Sequence, residues 1–198
     1  GVIVDSTRQA IERARAVAEL PVAALQITPV HYLFRPSDEM MIRHFSAVAE
    51  AVDTPLMIYN VVPWSYCSPD LLVRLVTEVD GVMGVKQSAG DLKLLADLLL
   101  KLDGRGTVMS AVDALLYPSF ALGAHGAIAA ILTAVPELVV QLWEAVRRGD
   151  HGQALELHKR LLRLWNALQG DNLPANIKAA LDLQGRHGGP PRAPMAPS

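Results

Sequence analysis

Five short apolar segments, ALQIT (24–28), PLMIYN (55–60), VMGVKQ (82–87), TVMSA (107–111) and GAIAA (126–130), recur along this chain, each followed by a stretch with helical signals. That rhythm is the strongest constraint on its fold. A strand apolar on both faces has no side to offer water, so such strands belong in a parallel sheet covered by helices. The helices are marked by their caps. Asp5, Ser6 and Thr7 can open one running to about residue 19, and Ser37, followed by the acidic Asp38 and Glu39, one to about residue 52. Ser68 and Pro69 form an N-cap and first-turn pair for a helix to about residue 79, and Asp91 begins another with Leu92, Leu95, Leu98, Leu99 and Leu102 on one face. A short helix is expected from Asp113 to Leu122. From Pro136 the pattern turns wholly helical, over 137–148, 150–168 and 174–183. The reading divides the chain into a strand and helix part (1–134), a helical segment (135–184) and a Gly/Pro-rich tail (185–198).

Composition removes several function classes. With a net charge of -2 and scattered basic residues, nothing points to nucleic acid. The most apolar run, 127–140, contains Pro136 and Glu137 and is too short to span a membrane. A single cysteine, Cys67, cannot form an internal disulfide and fits a reducing, cytoplasmic compartment. His31, His44, His125, His151, His158 and His187 show no ligand-type spacing, so no metal is expected. No glycine-rich phosphate loop follows the first strand, which argues against a dinucleotide cofactor; no cofactor of any kind is expected.

Two side chains stand out chemically. Lys86 closes the run Val82, Met83, Gly84, Val85, and a lysine leaving a buried strand can present its amine as a nucleophile. Tyr59 closes the preceding strand. Each has an ordinary explanation, a snorkelling ammonium for the lysine and a hydroxyl tied to backbone for the tyrosine. Their joint placement favours chemistry, because successive strand ends of a parallel sheet lie side by side on one rim.

At these motifs the chain resembles the dihydrodipicolinate synthase and N-acetylneuraminate lyase family of class I aldolases. Tyr59, Asn60 and Pro63 are similar to its YNxP motif at the end of the fifth barrel strand, with one extra residue before the proline; Gly84, Val85 and Lys86 match its G[IV]K motif at the end of the sixth. TPVHYLFRPSDEM (28–40) resembles the family's TPYY loop, GAHGAIAA (123–130) its GxxGxIS segment, and DNLPANIKAAL (171–181) its late NPxPxK helix. The resemblance implies an α/β chain of the (β/α)8 TIM barrel class, here a partial barrel of strands four to eight with C-terminal helices. It also implies a fragment, with the first three strands, their carboxylate-holding loop and the last helix outside this sequence.

The same resemblance assigns roles. Lys86 would form an imine with a 2-oxo acid of the pyruvate type, Tyr59 would relay protons, and Ile128 would offer backbone polar groups to the bound acid. The family's second tyrosine, contributed across a subunit interface, maps between His31 and Tyr32. The full-length protein would be a homo-oligomer, a homotetramer in the family pattern, acting on a 2-oxo acid and an aldehyde. Where dihydrodipicolinate synthases carry an arginine after YNxP, this chain reads Trp64, Ser65, Tyr66, Cys67. The expectation is therefore an aldolase or lyase other than a true dihydrodipicolinate synthase, with Trp64 facing a less charged or aromatic aldehyde. Packing of a longer loop accounts for Trp64 and Tyr66 equally well. Gln87 replaces the family's usual glutamate after the lysine, and no effect is assigned to it. The alternatives are a ligand-binding or regulatory protein of the same fold, or an inactive fragment.

Overall fold

The structure is a computed structural model and describes residues 1–198; they divide into two compact units, residues 1–111 with 122–127, and residues 112–121 with 128–198.

In the first unit, β1 (Leu25–Ile27), β2 (Leu56–Asn60), β3 (Val82–Gln87), β4 (Thr107–Ser110) and β5 (Gly126–Ala127) form one parallel sheet in sequence order. Val2 adds a single bridge on the free edge of β1, donating its N–H to the Gln26 carbonyl at 2.7 Å. Four helices belong to this unit: α1 (Thr7–Arg15), α2 (Asp38–Ala49), α3 (Pro69–Glu78) and α4 (Leu92–Leu102). Their N-caps are the expected Ser6, Ser37, Ser68 and Asp91, each accepting a backbone N–H of the first turn. The Ser68 hydroxyl, for example, accepts from Leu71 N–H at 3.2 Å. Ser68→Ala is expected to lower stability by about 1 kcal/mol in denaturant unfolding, since that donor would lose its partner.

One face of the sheet is packed by the helices. Ile27, Ile58, Val85 and Val108 join Phe45, Leu72, Leu75, Leu98 and Leu102 in one core cluster, all at most 1% exposed. Because strand side chains alternate, the other face carries Gln26, Thr28, Met57, Tyr59, Gly84, Lys86, Thr107 and Met109. That face is more polar than the expectation of strands apolar on both sides, and the difference is concentrated at the carboxyl ends. A register shift at Leu56/Met57 leaves Met83 without a partner and 38% exposed, and restores the alternation from Gly84 onward.

His44, on α2, is the one histidine sunk into this unit's packing. It is 4% exposed, its Nδ1 bonds the Thr7 hydroxyl at 2.9 Å, its ring meets Phe45 edge-on, and Nε2 has no partner. Burial pushes its pKa down to about 4 from the ordinary 6.5. Between those values the unfolded chain binds the extra proton and the folded chain does not, so folding stability rises with pH across the window. The contribution is complete above about pH 6.5, is lost as pH falls toward 4, and amounts to about 3 kcal/mol. Denaturant unfolding between pH 4 and 7 should show a steeper pH slope for the natural sequence than for His44→Gln.

The second unit is helical: α5 (Leu116–Ala121), entered through a 3-10 turn at Asp113–Leu115, then α6 (Ile131–Ala134), α7 (Pro136–Arg147), α8 (His151–Leu168) and α9 (Leu173–Asp182). The helices α7 and α8 pack on one another; Val139, Leu142 and Ala145 are buried on α7, and Ala154, Leu157, Leu161 and Leu168 on α8. Ala134, Leu168 and Ile177 form a further small core joining α6, α8 and α9. Two expectations are corrected here. The fifth strand ends at Ala127 rather than 130, and residues 131–134 form a helix that the sequence reading passed over. At the first residue of α6 the Asp113 carboxylate accepts the Ile131 N–H at 2.6 Å, satisfying a donor that the helix itself leaves free. No helix is long and apolar enough to cross a membrane.

Candidate active site

Tyr59 and Lys86 are direct cross-strand partners in the β2–β3 ladder, on the face turned away from the helices. The Lys86 Nζ lies 3.8 Å from the centre of the Tyr59 ring, over its face. Lys86 is 9% exposed, and Tyr59 is half-buried. Gly84 makes this placement possible, because a Cβ there would stand 2.0 Å from the Thr107 carbonyl oxygen of β4. A parallel sheet presents ligands at the carboxyl ends of its strands, and Tyr59 and Lys86 both sit at that end.

Asn60 and Gln87, the next residues along, are also cross-strand partners, but on the helix-facing side. Asn60 Nδ2 donates to the Gln87 Oε1 and to the Cys67 carbonyl, both at 3.1 Å, and its Oδ1 accepts the Cys67 N–H at 2.9 Å. The loop 61–67 is thereby closed on its own strand end. Cys67 is buried there, and burial first of all, then Arg35 against it and Asp38 with it, sets its thiol at about 12. Such a thiol is a poor nucleophile.

The loop 61–67 is also tied to the loop after β1. The Ser65 hydroxyl donates to the Val30 carbonyl at 2.9 Å and the Trp64 indole N–H to the His31 carbonyl at 2.8 Å, with the two rings edge-on. His31 and Trp64 therefore meet on this rim. Tyr32 lies beside them in sequence, 59% exposed, followed by the exposed Leu33 and Phe34. His31 Nδ1 is held by the Pro29 carbonyl at 3.0 Å. Ile128 stands apart from these residues in the division of the chain: it belongs to the second unit, half-buried between β5 and α6.

The sequence reading did not single out Thr28 or Ser88. Their hydroxyls are buried without a hydrogen-bond partner at the carboxyl ends of β1 and β3, as is Gln87 Nε2. Unpaired buried polar atoms are uncommon and tend to mark places where a ligand or water belongs. The available signal was positional, a hydroxyl residue directly after a strand on the same side as Tyr59 and Lys86.

A parallel α/β sheet bearing a buried lysine against a tyrosine at its carboxyl rim defines a class of site suited to imine chemistry. The Dihydrodipicolinate synthetase family model matches residues 1–198, and the chain belongs to that family. It is 35% identical to a 4-hydroxy-tetrahydrodipicolinate synthase of Methanopyrus kandleri over 96% of its own length and 64% of the relative's. It is 34% identical to one of Archaeoglobus fulgidus over 96% of its length and 66% of the relative's. Among solved structures it superimposes on a chloride-inhibited dihydrodipicolinate synthase from Acinetobacter baumannii, complexed with pyruvate, with a TM-score of 0.87 and 31% identity, covering 98% of this chain and 66% of that one. The chain thus spans slightly under two thirds of these relatives. Their names give no support to the expectation that it departs from dihydrodipicolinate synthase.

Proposed function

We propose that this chain carries the catalytic pair of a class I, Schiff-base-forming lyase that acts on a pyruvate-type 2-oxo acid and an aldehyde. The observation that carries the reading is the placement of Lys86 Nζ 3.8 Å from the centre of the Tyr59 ring, at paired carboxyl strand ends. The pyruvate complex of the Acinetobacter baumannii relative supports the donor assignment. The five strands are read as the fourth to eighth of an eight-stranded barrel, consistent with coverage of about two thirds of the relatives.

The steps follow from the residues. The Lys86 amine adds to the ketone carbon of the 2-oxo acid, and the carbinolamine loses water with Tyr59 supplying the proton. The resulting iminium withdraws electrons from C3, whose proton passes to the Tyr59 phenolate to give an enamine. The enamine carbon attacks the aldehyde, Tyr59 protonates the new alkoxide, and hydrolysis returns the free amine; the reverse sequence breaks the same bond. No cofactor is required, because the iminium itself is the electron sink. His31, Tyr32 and Trp64 would bound the aldehyde end. A cytoplasmic location fits both the chemistry and the single reduced cysteine.

The test needs no knowledge of the aldehyde. In D2O the full natural chain should exchange the methyl hydrogens of pyruvate through the enamine, with Tyr59→Phe slowing exchange by roughly 10²–10⁴-fold. Exchange no faster than in buffer would contradict the reading, and binding of pyruvate without exchange would favour a non-catalytic member of the fold.

Self-association is part of the same proposal. Tyr32, Leu33 and Phe34 form a consecutive exposed run, 59%, 88% and 59% accessible, beside Trp64 at 66%. Such a patch is suited to burial against a second copy. Leu33→Asp should weaken the oligomer by about tenfold or more in sedimentation, from loss of one buried leucine.

A further inference from the structure

We propose that Gln87 and Asn60 are positioning residues, a neutral amide clasp that holds the Tyr59–Lys86 pair and the rim loop 61–67 in one arrangement. The inference rests on the imine chemistry proposed above and assigns a function to the residue that departs from the family's glutamate.

Strand alternation places the clasp and the reactive pair back to back. Tyr59 and Lys86 are opposite one another on one face, and their chain neighbours Asn60 and Gln87 are opposite one another on the other. Any slip between the strand ends that separated Tyr59 from Lys86 would also break the Asn60–Gln87 bond. Both amides are deeply buried, Asn60 at 0% and Gln87 at 3% exposure, so water cannot readily replace a lost partner. Asn60 is fully used: its two N–H groups go to Gln87 and Cys67, and its oxygen holds the Cys67 N–H. The clasp therefore reaches Cys67 directly, and through the loop it reaches Ser65 and Trp64, which are tied to Val30 and His31.

Gln87 acts here through its oxygen. Oε1 accepts from Asn60 Nδ2 at 3.1 Å and from Ala89 N–H at 3.3 Å, while Nε2 finds no partner. Both of these hydrogen bonds are made through an acceptor oxygen. A glutamate would satisfy them, and an apolar residue of similar size would not. That asymmetry separates positioning from general packing, to which Leu and Glu contribute in the opposite order.

Cys67, the chain's single cysteine, reports on the loop. In the full natural chain, labelling of Cys67 by an aromatic disulfide reagent, mapped to its peptide by mass spectrometry, should quicken roughly tenfold or more in Gln87→Leu. Gln87→Glu should return it toward the natural rate. With pyruvate and borohydride, Gln87→Leu should still form the Lys86 adduct, but its turnover number should fall by about tenfold with little change in KM for the 2-oxo acid. Gln87→Glu should recover turnover as well. A natural labelling rate in Gln87→Leu, or a Gln87→Glu variant as impaired as Gln87→Leu, would overturn the clasp. Should Gln87→Leu not fold, hydrogen exchange of the natural chain decides: the Cys67 amide is expected to exchange as slowly as the β3 amides, and exchange at the rate of exposed loop amides overturns the proposal. Absence of any Lys86 adduct in the natural protein would overturn the catalytic reading alone, with Cys67 labelling still deciding the clasp.

Discussion

Lys86→Ala is expected to abolish the borohydride-stable adduct with pyruvate and to lower turnover by on the order of 10⁴-fold or more, since it removes the amine that forms the imine beside Tyr59. Lys86→Arg should be no better, because a guanidinium stays protonated and cannot add to a ketone. Fold should survive both, as Lys86 makes no ion pair and its Nζ rests over the Tyr59 ring. The thermal midpoint should fall only slightly. Loss of activity with an intact fold is what distinguishes a reacting lysine from one that only fills space at a strand end. An alanine variant that kept a substantial fraction of turnover would remove Lys86 from the mechanism.

Gly84→Ala should have the largest effect on folding. The added Cβ would lie 2.0 Å from the Thr107 carbonyl oxygen and within 2.9 Å of its carbon and nitrogen, all backbone atoms that no rotamer change can move. The β3–β4 ladder pairs Gly84 with Thr107 and Lys86 with Met109, so opening it at one end disturbs the strand that carries the lysine. A loss of at least about 3 kcal/mol is expected, enough to leave much of the protein unfolded or aggregated at ambient temperature. Gly152→Ala is the contrasting case. That glycine lies in the first turn of α8 with its nearest prospective neighbour 3.7 Å away, and alanine there should be neutral or stabilising by up to about 1 kcal/mol. Equal effects of the two substitutions in denaturant unfolding would contradict the packing account.

What could be read from sequence was what local chemistry decides. Ser6, Ser37, Ser68 and Asp91 are helix caps in the structure because a side-chain oxygen two or three residues before a free N–H needs no distant partner. The first four strands begin within one residue of their expected positions, since apolar runs between turn residues specify strands. Tyr59 and Lys86 were legible as a pair because parallel register brings equivalent strand ends together. Contacts between distant residues were hidden. The Asp113 bond to Ile131 bridges 18 positions, and the Trp64 bond to His31 bridges 33. The glutamine at position 87 was visible as a departure from the family pattern, but its meaning depended on knowing that its oxygen faces Asn60 and its nitrogen faces no partner.

The most direct measurement is borohydride reduction of the full natural chain in the presence of pyruvate, followed by peptide mapping. A single reduced adduct on Lys86, absent without pyruvate and absent from Lys86→Ala, is the predicted result. An unmodified Lys86, or an adduct spread over surface lysines such as Lys93 and Lys159, under conditions that label a known class I aldolase, would contradict it.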